Sequence, residues 1–592
     1  MGYSERQSLP RALPLLLAVL TTASSIASAN AGQEPAATDP QVAVVATSDA
    51  AGNDAAPEAE EPGSSSPRHR RRNPEPSVPS AQELEARGAV IGSVTVVPGD
   101  IFDPSDPAES RKLYLLTNRL HPRTRSWVIQ HSLLFHSGEP FSAYRIEESE
   151  RILRSQRFLY DAEIRPVSYE DNRVDLEVLT RDVWTLKLGL SVNRAGGENS
   201  TGVELQDSNF LGTGKEVTVR RHSDVDRVTS LFRYRDPNVY GSHAEIEASY
   251  ADLSDGSQIR LRLKRPFISL ESRWATGLEL LDDDRVDPIY TLGKEVDSFR
   301  HQQQWLELWG GLSAGLTGGT SNRWLAGYTF LKDQFGTAED HPQPLTPVTD
   351  RTLSYPWIGF QSVQNKFEET RNLDRIGRTE DLELGRQVEA RLGWSSNALG
   401  ADRDRAIASA SLRYAWQPSD NELAQLSAYG SGRWGDNGGE NIQVGTRLRY
   451  SRRNFERFLF VVSLDADATY RLDPENQLLL GGDSGLRGYP LRYEEGDRRL
   501  LLTLEQRLYT NWNPWRLARV GAALFVDAGR AWFHDRTSAS DLGMLTDVGV
   551  GLRISPSRSG LGSMIHLDVA FPLNGDPSIQ GLQWLVMTKE SF

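Results

Sequence analysis

The chain has 592 residues, a formal net charge of -14 and no cysteine. A chain of this length exceeds one ordinary globular core, so more than one folding unit is expected. The lack of cysteine excludes disulfides and thiolate metal sites. The charge is spread along the chain and forms no basic stripe for nucleic acid. Mean hydropathy is -0.48, and no stretch of about 18 apolar residues predicts a membrane-spanning helix.

Residues 1–31 have the pattern of a secretory signal peptide. Arg6 and Arg11 precede a short apolar run over 12–20, and Ala29 or Ala31 ends a small-residue cleavage site. Residues 32–82 are rich in Ala, Pro, Glu and Ser with almost no aromatic residue, which predicts a disordered tether. Its basic run 68–72 is interpreted as a solvated charge cluster, and binding to anionic lipid or peptidoglycan is the alternative.

Residues 83–182 predict a small α+β domain. A β-type run over 90–97 is followed by near-helical spacing over 127–134 and by a second helix, capped by Ser142, that runs to Ser155. Two further β-type runs cover 160–167 and 174–180, with a turn between them. The predicted order is therefore β-α-α-β-β.

From residue 183 to 592 the hydrophobic period is two. Phe460, Val462 and Leu464, for example, alternate with Ser463 and Asp465. A soluble sandwich also alternates, but the segments are about ten residues long, end in aromatic residues and carry charges at inward positions, as in a transmembrane barrel. At about 25 residues per strand and connection, the prediction is an all-β barrel of about sixteen antiparallel strands, with fourteen or eighteen as alternatives.

A glycine-framed arginine stands out in the segment Gly481-Gly482-Asp483-Ser484-Gly485-Leu486-Arg487-Gly488-Tyr489. Together with other motifs it resembles the superfamily of outer-membrane assembly and translocation barrels that includes BamA, TamA and the two-partner-secretion transporters. In that family periplasmic POTRA modules precede a sixteen-stranded barrel. The likeness covers about 90–592, and the supporting motifs lie at 138–142, 148–153, 158–161, 207–214, 265–267, 505–507 and 525–529.

The resemblance implies that the arginine segment is a lid loop that reaches into the lumen. Its residues are Gly481, Gly482, Asp483, Gly485, Leu486, Arg487, Gly488 and Tyr489. Glu505 and Asp527 would supply carboxylates to Arg487, and Phe525 an aromatic face. A guanidinium suits paired carboxylates, because its planar fork binds them in a bidentate manner. The alternative is that Glu505 and Asp527 are ordinary lumen-facing polar residues.

The end of the chain resembles an outer-membrane sorting signal, with Trp584 and Val586 before the terminal Phe592. Glu590 departs from the apolar pattern expected there. The first barrel strand, over about 184–193, is expected to pair with the last, over 582–592. Glycines at 189, 196 and 197 predict a short, weakly held edge at this seam.

No residue set predicts catalysis or a cofactor. His131 and His136 are expected on the domain's first helix, but they are five residues apart and not four, as a zinc-binding pair on one helix face would be. Asp282-Asp283-Asp284 lacks the ligand pattern of a calcium loop and is predicted to be a solvated acidic outer loop. We find no nucleophile elbow and no Ser/His/Asp set.

The expected function is therefore non-enzymatic: assembly or translocation of unfolded client polypeptides at the bacterial outer membrane, with the POTRA-like domain in the periplasm. Lipid and periplasmic or lipoprotein partners are expected, and no nucleic acid. The alternatives are a passive porin or solute channel, a structural barrel that anchors a surface complex, and a two-partner-secretion transporter for one client.

Overall fold

The computed structural model describes residues 78–105, 107, 109–343, 345–371, 373, 379–455, 457–514, 518–535, 541–556, 564–577, 579 and 581–589. The predicted signal peptide, nearly all of the tether with its basic run 68–72, and Phe592 lie outside the described residues. No helix of the described part is long and apolar enough to cross a membrane.

Residues 78–182 form an α+β unit around a three-stranded sheet. Its strands are β1 (Val90–Gly99), β2 (Leu159–Glu170) and β3 (Arg173–Asp182), and its helices are α1 (Ala81–Ala86), α2 (Lys112–Leu120), α3 (Ser126–Gln130) and α4 (Ala143–Ser155). Strand β3 is central, parallel to β1 and antiparallel to β2. Alternate β3 residues Val174, Leu176 and Val178 are buried against Ile129 and Leu153 of the helices, as expected for a sheet covered on one face.

The helices differ in part from the prediction. Strands and helices α3 and α4 lie where the sequence pattern predicted them, whereas α1 and α2 were not predicted. Ser142 occupies the N-cap position of α4, but its side chain makes no capping hydrogen bond. His131 is the C-cap of α3, and His136 lies beyond that helix, so the two histidines do not share a helix as expected.

The rest of the described chain is a closed antiparallel barrel of twenty strands. They are β4 (Leu186–Ala195), β5 (Glu198–Asp207), β6 (Glu216–Ser223), β7 (Val228–Asp236), β8 (Glu245–Leu253), β9 (Gly256–Arg265), β10 (Trp274–Thr291), β11 (Lys294–Thr317), β12 (Thr320–Thr337), β13 (Arg351–Gln364), β16 (Gly385–Ser395), β17 (Arg405–Ser419), β18 (Glu422–Gly435), β19 (Gly438–Arg453), β20 (Phe458–Tyr470), β23 (Arg498–Tyr509), β24 (Ala518–Trp532), β25 (Leu545–Pro556), β26 (Met564–Pro572) and β27 (Gln583–Lys589). Two hairpins stand apart from the barrel wall, β14 (Phe367–Arg371) with β15 (Thr379–Glu383), and β21 (Leu478–Leu480) with β22 (Glu494–Gly496).

Consecutive strands of the barrel are neighbours, and two contacts complete the ring. Strands β9 and β10 lie side by side, joined by Arg262 Nε to Glu279 at 3.2 Å and by Gln258 Nε2 to Asp283 at 3.0 Å. The last strand, β27, lies beside the first, β4.

The predicted count of about sixteen strands is wrong, because many turns are shorter than the average used. Two residues connect β4 to β5, β8 to β9, β10 to β11, β17 to β18 and β18 to β19. The same length of chain therefore holds four more strands. The acidic run 282–284 is also corrected: it lies within β10, where Asp284 accepts a hydrogen bond from Arg300 at 2.6 Å.

Along the strands of the barrel wall, exposed apolar side chains alternate with buried polar or aromatic ones. This is the reverse of a soluble protein, in which the apolar side chains are buried. On β24, Leu524 and Val526 are 61% and 37% exposed, whereas their neighbours Phe525 and Asp527 are buried. Exposed apolar residues on other strands include Leu188, Val203, Phe232, Leu312, Trp324, Ile358, Leu392 and Val550. Apolar side chains therefore cover the outside of the barrel and charged side chains fill the inside.

Candidate functional site

The segment 478–496 between β20 and β23, here called the lid, is packed inside the barrel. Its Leu486 and Tyr489 are fully buried against Leu501, Ala531 and Leu545 of three barrel strands. Asp483 is exposed. The β21–β22 hairpin forms the base of the lid, so the motif between these strands is held at both ends.

Arg487 binds carboxylates from three barrel strands. Its Nε and Nη2 donate to the two oxygens of Asp527 at 2.7 and 3.0 Å, and Nη1 donates to Glu505 at 3.0 Å and to Asp568 at 3.3 Å. The guanidinium carbon lies 3.3 Å from the centre of the Phe525 ring. The bidentate pair and the ring together fix the plane of the guanidinium.

The carboxylates around Arg487 have further cationic partners. Glu505 also accepts from Arg507 at 2.9 Å and from Arg553 at 3.2 Å, and Asp568 accepts from Arg553 at 2.5 Å. The five side chains of this cluster are each 5% exposed or less: Arg487, Glu505, Asp568, Arg507 and Arg553. Because the charges are buried, removal of one member unbalances the charge of the cluster in a region of low dielectric.

Two lid residues next to Arg487 fix the backbone. The Gly488 N–H donates to Asp547 at 2.9 Å, and a Cβ at Gly488 would lie 2.6 Å from the Asp547 Cβ. The Tyr489 hydroxyl lies 2.8 Å from both the Thr546 carbonyl and the Asn574 side-chain oxygen. The glycine is therefore required for close approach, and the tyrosine attaches the lid to the ends of β25 and β26.

A second lid arginine binds the opposite wall. Arg492 donates to both oxygens of Asp226, in the β6–β7 turn, at 2.7 Å each, and its guanidinium lies 4.3 Å from the Tyr290 ring on β10. The Tyr290 hydroxyl donates to the same Asp226 at 2.6 Å. The lid backbone also contacts the β4–β5 turn, where Leu491 N–H donates to Gly196 at 3.4 Å.

Among the described residues, which end at 589, the seam between β27 and β4 is aligned at a single residue pair, Val586 opposite Arg194. By contrast, β26 and β27 are aligned over 564–570, and β4 and β5 over their full length. Trp584 reinforces the seam from the outside, since the Arg194 guanidinium lies 4.9 Å from its ring. In the part of the chain that the structure describes, the seam therefore has fewer aligned pairs for backbone hydrogen bonds than the strand pairs on either side.

The α+β unit is attached to the barrel through two turns of the same sequence pattern, Asp-x-Asn-x-x-Gly. In the β5–β6 turn Asn209 Nδ2 donates to Thr124 at 2.8 Å, and in the β7–β8 turn Asn238 Nδ2 donates to the His131 carbonyl at 2.9 Å. In each turn the asparagine Oδ1 accepts from the backbone N–H five residues on, at 2.6 and 2.8 Å. Each asparagine thus holds its own turn and the α+β unit at once.

In the part of the chain that the structure describes, Asp497, His534 and Asp535 are the one group of acidic and histidine side chains close enough to share a metal ion. His534 and Asp535 are exposed, and His534 already hydrogen-bonds Asp497. This arrangement is typical of a solvated loop.

The structure brings the predicted Glu505, Phe525 and Asp527 together around Arg487. Asp568, Arg553, Arg492 and Asp226 were not predicted. Asp568 and Arg553 had a usable signal, because each is a charged residue within an alternating apolar strand. Asp226 had none, since it lies in an ordinary polar turn 266 positions from Arg492.

The proteins to which the chain is similar are found among solved structures. No family model and no curated protein matches it. Among solved structures, it is similar to CdiB from Escherichia coli (13% identity, 85% of this chain, 77% of that chain, TM-score 0.44) and CdiB from Acinetobacter baumannii (13%, 85%, 73%, 0.42). A third is BamA from Haemophilus ducreyi lacking POTRA domains 1–3 (11%, 84% and 84%, 0.35). BamA is also one of the proteins of the superfamily that the motifs of this chain resemble.

Proposed function

We propose that the protein is a non-enzymatic factor of the bacterial outer membrane that inserts or translocates client polypeptides. In this proposal residues 1–31 direct export, 32–82 form a tether, 83–182 are a periplasmic POTRA domain, and 183–592 are the membrane barrel. Neither a cofactor nor a catalytic residue takes part. The clients are unfolded or extended polypeptides, which are delivered with or without periplasmic or lipoprotein partners.

The charge distribution of the barrel supports the membrane location. Asp527, Glu505 and Arg553 are at most 1% exposed, whereas Leu524 and Leu188 on the outer side are 61% and 77% exposed. In water this arrangement would leave a broad apolar surface uncovered. In lipid the same surface is solvated, as on the outside of a transmembrane barrel.

The seam is the observation that carries the proposed mechanism. With one aligned pair between β4 and the described part of β27, few backbone hydrogen bonds between these residues have to break for the wall to open sideways. The strands that open would present unpaired backbone groups to a client strand. The lid holds the walls on both sides of the seam, through Arg487 on one side and Arg492 on the other.

The edge of β1 is the proposed client site on the α+β unit. The other edge strand, β2, is blocked, because the Ile164 N–H donates to Glu150 at 2.5 Å and Pro166 has no N–H. On β1, only the start is covered, by the Ile91 N–H bond to Glu139 at 2.8 Å. Within the described residues no backbone hydrogen bond reaches the outer side of 94–99, so a client strand could add there without sequence preference.

Locking the seam with a disulfide tests the mechanism. The chain has no cysteine of its own, and opposed residues on paired strands lie within disulfide range. Arg194→Cys with Val586→Cys is expected to abolish assembly of outer-membrane or secreted proteins until reductant is added. The matched control, Thr201→Cys with Ser223→Cys, joins β5 to β6 and is expected to have no effect.

The proteome of cells that carry the oxidised Arg194→Cys/Val586→Cys variant distinguishes the alternatives. Loss of many barrels indicates general assembly, and loss of one exported protein indicates a dedicated transporter. Full activity of the oxidised seam variant would refute lateral opening. Conductance that persists without residues 83–182, with no protein lost, would favour a passive channel.

A further inference from the structure

The segment that contains α2 is strongly basic within an acidic protein. Residues 110–125 include five basic residues and no acidic one, whereas the whole chain has a net charge of -14. The basic residues are all exposed: Arg111, Lys112, Arg119, Arg123 and Arg125. Arg123 is paired with Asp100 at 2.5 Å. The other four have no carboxylate partner among the described residues, so their charge is available to an external anion.

Helix α2 also has an exposed apolar face. Leu113, Leu116 and Leu120 are 66%, 48% and 64% exposed and follow one another at intervals of three and four residues, which places them on one side of the helix. The opposite side is anchored, because Tyr114 is buried and stacks on Phe102 at 4.5 Å. A leucine stripe of this kind in water is unfavourable unless a partner covers it.

The position of α2 identifies the partner. The cluster around Tyr114 includes Trp184, two residues before β4 begins, and the outer side of β4 starts with the exposed Leu186. Just after α2, the Arg125 N–H donates to Gly212 at 3.0 Å, in the turn whose tip residue Leu211 is 56% exposed. The leucines of α2 thus lie at the end of the barrel where its apolar outer surface begins.

We propose that α2 is an interfacial helix that lies in the membrane leaflet facing the α+β unit. The leucine stripe enters the boundary between headgroups and acyl chains, and the basic side chains bind anionic phospholipid headgroups. Long basic side chains suit this position, because their stems lie along apolar surface while their charges stay in the headgroup layer. Each cation near an anionic surface adds to the attraction.

The inference rests on the proposed function in that it requires the barrel to be in lipid, and it adds a role beside the seam. The cluster around Tyr114 of α2 contains Trp184, which lies two residues before the seam strand β4. A helix inserted there displaces lipid from the leaflet at the place where a client strand would leave the barrel sideways. The helix would also hold the α+β unit at a fixed distance below the seam.

Spin labels at single introduced cysteines test the inference in the full chain, reconstituted in vesicles of phosphatidylcholine with phosphatidylglycerol. The test position is Leu116→Cys. Leu188→Cys on the outer barrel wall is the reference in lipid, and Glu85→Cys on exposed α1 is the reference in water. The ratio of oxygen to nickel-chelate accessibility at residue 116 is expected to approach the ratio at 188 and to exceed several-fold the ratio at 85.

The outcomes separate the two proposals. A ratio at 116 equal to that at 85, with a lipid-like ratio at 188, overturns the interfacial helix and leaves the barrel proposal intact. A water-like ratio at 188 overturns the membrane location itself. The variant Arg111→Gln/Lys112→Gln/Arg119→Gln is expected to lower the ratio at 116, unlike the control Arg87→Gln/Arg173→Gln on the same unit. An unchanged ratio in the first variant overturns headgroup binding.

Discussion

Arg492 and Asp226 lie 266 positions apart in the chain and form a bidentate ion pair with both N–O distances at 2.7 Å. The pair joins the lid to the wall built from the first barrel strands, whereas Arg487 joins the same lid to the wall built from the last strands. These two walls meet at the β27–β4 seam. The lid is therefore a connection across the seam, made inside the barrel and independent of the wall's own hydrogen bonds.

The pair predicts an energetic coupling that a double-mutant cycle can measure. Arg492→Gln, Asp226→Asn and the double variant are compared with the parent protein through their free energies of unfolding, measured with urea in detergent. Because the pair is largely buried, a coupling of about 1–3 kcal/mol is expected. Strictly additive single effects would show that the two side chains do not hold the lid together.

Arg487 is predicted to tolerate neither alanine nor lysine. Arg487→Ala removes the bidentate cation of the buried Asp527 and one of the three cations around Glu505, at an expected loss of about 3–5 kcal/mol in the free energy of unfolding. Lysine keeps the charge but replaces the fork with a single ammonium, which cannot bind both Asp527 oxygens and Glu505 in the same plane. Urea unfolding in detergent measures the loss.

The control for Arg487 is Arg530→Lys, which alters an arginine that forms a bidentate pair with Asp541 but is 37% exposed. That change is expected to alter stability by less than about 1 kcal/mol. If Arg487→Lys were as mild as the control, the geometry of the guanidinium would have no part in lid attachment.

The asparagines of the two repeated turns are predicted to hold the α+β unit. Asn238→Asp keeps the oxygen that accepts from the His243 N–H but removes the donor to the His131 carbonyl. The turn should survive while the attachment weakens by about 1–3 kcal/mol. The same change at Asn209 is expected to act more strongly, because that side chain is fully buried.

Amide hydrogen exchange measures this attachment directly. The Arg125 N–H donates to Gly212 of the barrel, so its exchange should accelerate in Asn209→Asp. Val178, in the middle of the central strand β3, is the internal control and should be unaffected. Equal acceleration at both amides would mean that the substitution unfolds the unit and does not release it.

The sequence predicts local structure here far better than it predicts which distant residues meet. Period-two alternation locates the strands, because each strand exposes its own pattern, and the glycines around Arg487 mark the lid. The predicted strand number is wrong because it used one average length for every strand and connection, whereas pairs such as Gly196-Gly197 form turns of only two residues. The Arg492–Asp226 pair depends on how the whole ring closes, and no local pattern encodes that closure. Helix α2 was missed because its leucines are exposed and give no core-facing stripe.

The α+β unit is predicted to be more stable in mild acid than at neutral pH. Burial raises the pKa of Glu148 to about 7, although Arg151 lies 2.5 Å away and favours the charged form. In the unfolded chain the carboxyl has its ordinary pKa of 4.5. The folded state therefore binds the proton more tightly, so the stabilisation is complete below pH 4.5 and is lost as the pH rises through 7. The total effect is at most about 3 kcal/mol.

Glu148→Gln isolates this contribution, because the amide keeps the size of the side chain and does not titrate. The urea midpoint of the α+β unit is followed in the detergent-solubilised full chain with a fluorophore at Glu85→Cys, between pH 5 and 8. The parent protein should lose stability over this range, and the variant should lose less. Glu170→Gln, at the exposed β2–β3 turn, is the control and should retain the parent's slope. If the Glu148 variant and the control have the same slope, another group is responsible for the pH dependence.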